Sequence, residues 1–168
     1  KDAFQCNHLV MATGSNLKIW DLLQNANHSI VKPVPSLFTF NIKDPRIQNL
    51  MGVSPEMVTV KVKDSHLKAT GPLLITHWGM SGPAILRLSA WGARELFDKN
   101  YQFTLQVNWL NDLVFDEILE ELIENKQDNA KKTIVKYPQY GLTQRLWFQL
   151  VKAALIPETM IWADVSKK

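Results

Sequence analysis

Leu74–Leu88, LITHWGMSGPAILRL, changes its period partway along and so holds both kinds of secondary structure. Leu73 to Ile75 form an apolar strand, Thr76-His77-Trp78-Gly79 reads as a turn, and Ser81-Gly82-Pro83 opens an amphipathic helix. Ser81 or Gly82 suits the cap, and Pro83 suits the first helical position, where its fixed φ and missing N–H cost nothing. That strand–turn–helix corner is where an α+β fold is first legible.

Outward from this corner the chain keeps both periods. Phe38, Phe40 and Ile42 alternate with Thr39, Asn41 and Lys43; Val58, Val60 and Val62 alternate with Thr59, Lys61 and Lys63. Tyr101, Phe103, Leu105, Val107 and Trp109 alternate with polar residues in the same way. One apolar and one polar face is the mark of antiparallel strands wetted on one side. With Leu67–Thr70 and Leu73–Thr76 these runs predict an antiparallel sheet of five or six strands, curled towards a barrel. A helix over about 83–97 packs on it through the small residues Ser89, Gly92 and Ala93.

Before the sheet, Leu9–Ala12 reads as a short strand ending at Thr13-Gly14. A helix capped by Ser15 or Asn16 follows, closed near Asn27-His28. Beyond Trp109 the pattern is helical. Leu113, Val114, Ile118, Leu119, Leu122 and Ile123 make one stripe, and Asp116 and Glu117 favour its N-terminal dipole. A shorter helix is predicted at 131–136 and a strong one at 143–155, whose core stripe should bring Leu119, Leu122, Leu146, Leu150 and Val151 together. The predicted organisation is 1–36 as a strand and helix leading out of another domain, 37–111 as a β-rich, barrel-like part, and 112–168 as a helical part.

Composition narrows the functional classes. Hydrophobic residues make up 46 % of 168, with six Trp and seven Phe, enough for a real core. Nineteen basic residues against sixteen acidic ones give a net charge of only +3, scattered along the chain, so no nucleic-acid footprint stands out. The single Cys6 excludes an internal disulfide and reads as a small hydrophobe beside a strand. No apolar run approaches the ~20 residues of a membrane span. A cytoplasmic protein without membrane or nucleic-acid partners is the expectation. The chain begins and ends within structured phrases and reads as an excised piece.

Familiar catalytic sets are missing: no GxSxG, no HExxH and no phosphate loop. The histidines at 8, 28, 66 and 77 lack metal-ligand spacing, so no metal site is expected. His77 differs from the others. It lies in a glycine-bearing turn, just upstream of a helix start whose amides and partial positive charge suit developing negative charge. His77 is therefore the catalytic candidate, with Thr76, Trp78, Gly79, Ser81, Gly82 and Pro83 as substrate-binding candidates. Trp78 is the tryptophan placed to stack on a ligand ring. The alternative is a non-catalytic module that binds protein or RNA through its sheet, with Tyr101, Phe103, Tyr137 and Tyr140 as stacking surfaces.

Four phrases carry a family resemblance. The Ala12-Thr13-Gly14 strand end is similar to that of flavoproteins with a glutathione-reductase-like dinucleotide-binding domain. HSIVKPVPSLFTF (28–40), THWGMSGPAILRLSAWG (76–92) and GLTQRLW (141–147), in that order, resemble the aminoacetone-oxidase-like family of NAD(P)/FAD-dependent oxidoreductases, which includes dehydro-bile-acid reductases. The THxGxSGPAxL phrase is the most specific. The resemblance implies an insert, a barrel-like and a helical part, that interrupts a FAD-binding domain, caps the flavin and shapes the substrate pocket. It implies FAD in the parent protein, none held by this chain alone, and NAD(P)H as a donor. The partners implied are the FAD-binding domain and a small-molecule substrate. Thr13 and Gly14 match on the flavin side; Thr76, His77, Gly79, Ser81, Gly82 and Pro83 match at the insert corner. The chain departs from the family after ATG, where it reads Ser15-Asn16-Leu17 in place of a glycine-rich stretch.

Overall fold

Chain direction reverses where glycine, proline and left-handed residues allow it, and those reversals divide 34–168 into two sheets and a set of helices. The computed structural model describes residues 3–111 and 113–166, and separates the chain into two compact units, 1–33 and 34–168. The expected boundary at Asp112 falls outside the described residues, as do Lys167 and Lys168.

Among its described residues the first unit holds one helix, α1 (Leu17–Asn25). Of the two caps the sequence offered, Ser15 and Asn16, it is Asn16 whose side chain accepts from the Lys18 N–H, and Asn27 with φ +63° closes the other end, where the His28 N–H reaches the Leu23 carbonyl. Leu9–Ala12 is not a strand. It runs as exposed coil, because a strand without a paired neighbour leaves its backbone groups to water. Cys6 is exposed as well, so it is not the buried small hydrophobe that the sequence led us to expect.

In the second unit the strands are β1 (Phe40–Asn41), β2 (Val58–Val62), β3 (Lys68–Gly71), β4 (Leu74–Ile75), β5 (Gly79–Ser81) and β6 (Leu105–Asn108). They form two three-stranded antiparallel sheets, ordered β1-β5-β4 and β3-β2-β6, where a single sheet of five or six strands was expected. Registers include Phe40 opposite Met80, Val60 opposite Ala69 and Val60 opposite Val107. The sheets share one long bent hairpin. Its inner limb continues from β3 through Pro72 into β4, and its outer limb follows it: the Leu73 N–H donates to the Pro55 carbonyl, Ile75 to Val53, and Gly52 to Ile75. Pro72 has no N–H to give to a ladder, so the sheet breaks there.

The alternation read from sequence sets the core. Phe40, Val58, Val60 and Val62 are buried, and Phe38, Phe103, Leu105 and Val107 pack against them, while Thr104 and Gln106 face water. The last strand is shorter than expected, because Asn100 and Tyr101 both take positive φ and turn the chain before it can pair. The helix expected over 83–97 is two, α2 (Pro83–Trp91) and α3 (Ala93–Asp98), broken at Gly92. A Cβ at Gly92 would overlap the Leu67 side chain, which packs into that break. Ser89 is fully buried; its hydroxyl accepts the Phe38 N–H at 3.0 Å and donates to the Leu86 carbonyl at 2.9 Å.

The helical part contains α4 (Phe115–Asp128) and α5 (Gln144–Ala153), with 3-10 turns at Ile134–Lys136 and Trp162–Asp164. The helix expected over 131–136 is only the first of these turns. At the start of α4 the Glu117 carboxylate accepts the Val114 N–H, as acids in a first turn favour. The stripe expected to gather Leu119, Leu122, Leu146, Leu150 and Val151 divides instead. Leu146 and Leu150 join the β core, whereas Trp147 and Val151 join a second cluster with Ile134, Val135, Trp162 and Leu122. Helix α5 is the seam between two cores. Leu119 is 40 % exposed and belongs to neither. Among the described residues no helix is long and apolar enough to cross a membrane.

Candidate functional site

The corner at 74–88 is a hairpin before it is a helix start. Strand β4 turns at Thr76–Trp78 and returns as β5, with Leu74 opposite Ser81 and Ile75 opposite Met80. The Thr76 N–H donates to the Gly79 carbonyl at 2.8 Å, and the Ile42 N–H donates to the Trp78 carbonyl at 2.8 Å. Gly79 is required here. Its φ is +152°, and a side chain would strike the Phe40 carbonyl on the neighbouring strand. The tight turn leaves His77 and Trp78 outside, at the tip.

His77 is exposed and held by two contacts. Its Nδ1 lies 2.8 Å from the Met51 Sδ, and its ring meets Trp78 edge-on, with centroids 4.4 Å apart at 87°. A thioether carries no proton, so this hydrogen bond needs the proton on Nδ1 and leaves Nε2 as the group open to a ligand. Trp78 is 50 % exposed. The Thr76 Oγ1 is buried and has no hydrogen-bond partner, an orphan that a ligand group could satisfy.

Thr76, His77, Trp78 and Gly79 line one groove of about 1000 Å³, whose other wall includes Lys43, Asp44, Met51 and Arg145. Helix α5 fixes that wall. The Arg145 guanidinium donates to the carbonyls of Asn49 and Met51, and the Gln149 amide donates to the Gln48 carbonyl at 2.9 Å. Asp44 caps the 3-10 turn Pro45–Ile47 and pairs with Arg46 at 2.6 Å; that guanidinium holds its carboxyl below the ordinary carboxylate range. Lys43, Arg145 and His77 therefore border the groove beside an acid that is already neutralised. Sequence reading missed Lys43, Met51 and Arg145. Only the spacing of Arg145 and Gln149, one helical turn apart, could have signalled a face turned to one loop.

The other half of the expected site is elsewhere. Ser81 is a strand residue, not part of a helix-opening loop, and neither it nor Gly82 nor Pro83 lines the groove. Gly82 caps α2 with φ +96° and no side-chain bond, and Pro83 takes the first position as expected. The start of α2 is no open amide cradle. The Ala84 N–H donates to the Pro72 carbonyl at 3.0 Å, and Ala84 and Ile85 are fully buried. The sheet corner needs a donor for Pro72, and the helix start supplies it. Thr13 and Gly14 lie in the first unit as exposed coil, with φ +60° at Gly14 and open space around it. Among the described residues no cluster of His, Cys, Asp and Glu could hold a metal ion.

The aromatics of the alternative reading do not form one stacking face. Tyr101 packs edge-on against Phe38 and Phe97, and Phe103 against Phe40. Tyr137 lies under the Lys132 ammonium, and the Tyr140 hydroxyl donates to the Ile118 carbonyl. Burial, together with the nearby Glu121 charge, raises the Tyr140 pKa.

No curated protein matches the chain. A family model described as the HI0933-like protein barrel and H2TH domain matches residues 34–168, the whole of the second unit with its sheets and helices. That family is one of proteins related to FAD-dependent oxidoreductases. A strand-rich half joined through α5 to a helical half is what such a description requires, and the chain belongs to the HI0933-like barrel and H2TH domain family.

Proposed function

We propose that this chain is the insert domain of a FAD-dependent oxidoreductase of the aminoacetone-oxidase-like and dehydro-bile-acid-reductase-like kind, capping the flavin and shaping the substrate pocket. Its partners in this reading are the FAD-binding domain and a small-molecule substrate, with NAD(P)H as hydride donor, in the cytoplasm and without nucleic acid or membrane. The observation that carries the reading is the exposed His77–Trp78 tip over the orphaned Thr76 hydroxyl, in a groove bordered by Lys43 and Arg145.

The residues here do not fit the dinucleotide itself. The chain has no GxGxxG turn to cradle a pyrophosphate, and Gly14 stands in exposed coil. Holding FAD falls to the partner domain. This chain's own contribution is to bind, orient and exclude water. With its proton on Nδ1, the neutral His77 ring offers Nε2 as an acceptor that can take a proton from the substrate; as the imidazolium the same Nε2–H can donate to a substrate carbonyl, and the Thr76 hydroxyl is a second polar contact. Trp78 offers an apolar face for the substrate body.

In a flavoprotein carrying this domain, His77→Ala should lower turnover by about 10²–10⁴-fold, the usual contribution of a positioned acid or base. Flavin content should stay at the unsubstituted level. Turnover per bound flavin that stays normal would remove His77 from the chemistry.

A further inference from the structure

Strand direction around the β part has a parity that leaves it incomplete. Starting at β1, the wall passes to β5, then to β4 with its continuation β3, then to the limb containing β2, and ends at β6. Every neighbouring pair is antiparallel. Five walls of alternating direction put the first and last strands parallel to each other. The ring contacts agree: Phe38 meets Tyr101 and Phe40 meets Phe103, at 5.6 and 5.0 Å between centroids, so both chains advance in the same sense.

Among the described residues no main-chain hydrogen bond joins β1 to β6. The two edges face each other across a cleft of about 930 Å³ that reaches inward to Met80 and Leu150. Pairing alternates along each edge. Ile42 bonds to Trp78 and Lys63 to Thr104, so those residues face inside their own sheets, and the backbone groups of Asn41, Leu105 and Val107 point into the cleft.

We infer that the cleft between β1 and β6 is a docking site for one extended polypeptide strand from a partner, inserted antiparallel to both edges. A single strand of that direction satisfies both rows of unpaired backbone groups and restores alternation around the wall, which a parallel β1–β6 contact cannot do. Its inward side chains are apolar, because the floor of the cleft is aromatic and aliphatic. Charge selects further: Lys43 lines the cleft, no ion pair among the described residues engages it, and Asp44 beside it is taken by Arg46. The inserted strand therefore carries a carboxylate opposite Lys43.

The test is residue-resolved amide hydrogen exchange on the full chain, with a nine-residue peptide alternating valine and threonine and carrying one glutamate. A control peptide has proline at its centre, which cannot pair in a ladder. Without peptide the amides of Asn41, Leu105 and Val107 should exchange freely. Saturating peptide should slow them by tenfold or more, the proline peptide should not, and Lys43→Glu should weaken the glutamate peptide several-fold while favouring a lysine version. Three results would overturn the inference: protection already present without peptide, no protection at saturation, or equal protection by the proline peptide. Protection that depends on protein concentration, with a dimer on gel filtration, would replace the partner strand by a second copy of this chain.

Discussion

Gly79 shows how much one residue can decide. Its φ of +152° and its position against the Phe40 carbonyl force the hairpin turn that puts His77 and Trp78 at the groove. Gly79→Ala should cost on the order of 3 kcal/mol, through an unfavourable φ and a backbone collision together, and urea unfolding would measure it. The loss should appear in unfolding even where no activity can be assayed. The sequence marked Gly79 as special, but for approach to a ligand; the structure gives the reason as approach to a neighbouring strand. His77 was legible as a candidate because it sits in a glycine-bearing turn just upstream of a helix start. Its contact with Met51, twenty-six positions away, was not, since no local pattern ties a loop methionine to a hairpin tip.

At the level of elements, α2 and α5 carry the fold. The Ser89 hydroxyl is the only described hydrogen-bond partner of the Phe38 N–H, 51 residues away, so Ser89→Ala strands a partly buried donor. A loss of about 1–3 kcal/mol is expected, read from the shift of the urea midpoint at unchanged slope. Helix α5 offers a comparison within one turn. Leu146 is fully buried in the β core while Leu150 is only partly covered. Leu146→Ala should cost about 2–5 kcal/mol and Leu150→Ala clearly less. Equal losses by thermal unfolding would mean that the two positions share one environment. Helical spacing identified the apolar stripe of α5, but a stripe has two flanks, and which flank meets which neighbour is not written in its period.

For the whole molecule, the family assignment and the absent phosphate loop lead to one expectation: the purified chain should be colourless, with no flavin absorbance in the visible band. Stoichiometric yellow flavin surviving gel filtration would contradict it. The sequence by itself determined the α+β class, the inward strand residues apart from the exposed Tyr101, a helix cap at Ser15 or Asn16, and Pro83 at the start of α2. These follow from periods of two and 3.6 and from side chains that act within a few residues of themselves. Tertiary structure alone decided that the strands divide into two sheets with an open edge, because closure depends on the number and direction of walls around a ring. It also decided that the amide at the start of α2 serves Pro72 and not a ligand, and that Lys43, Met51 and Arg145 join Thr76–Gly79 around one groove. Those outcomes rest on contacts between residues far apart in the chain, and periodicity carries no information about which distant partner a buried donor or an exposed edge will meet.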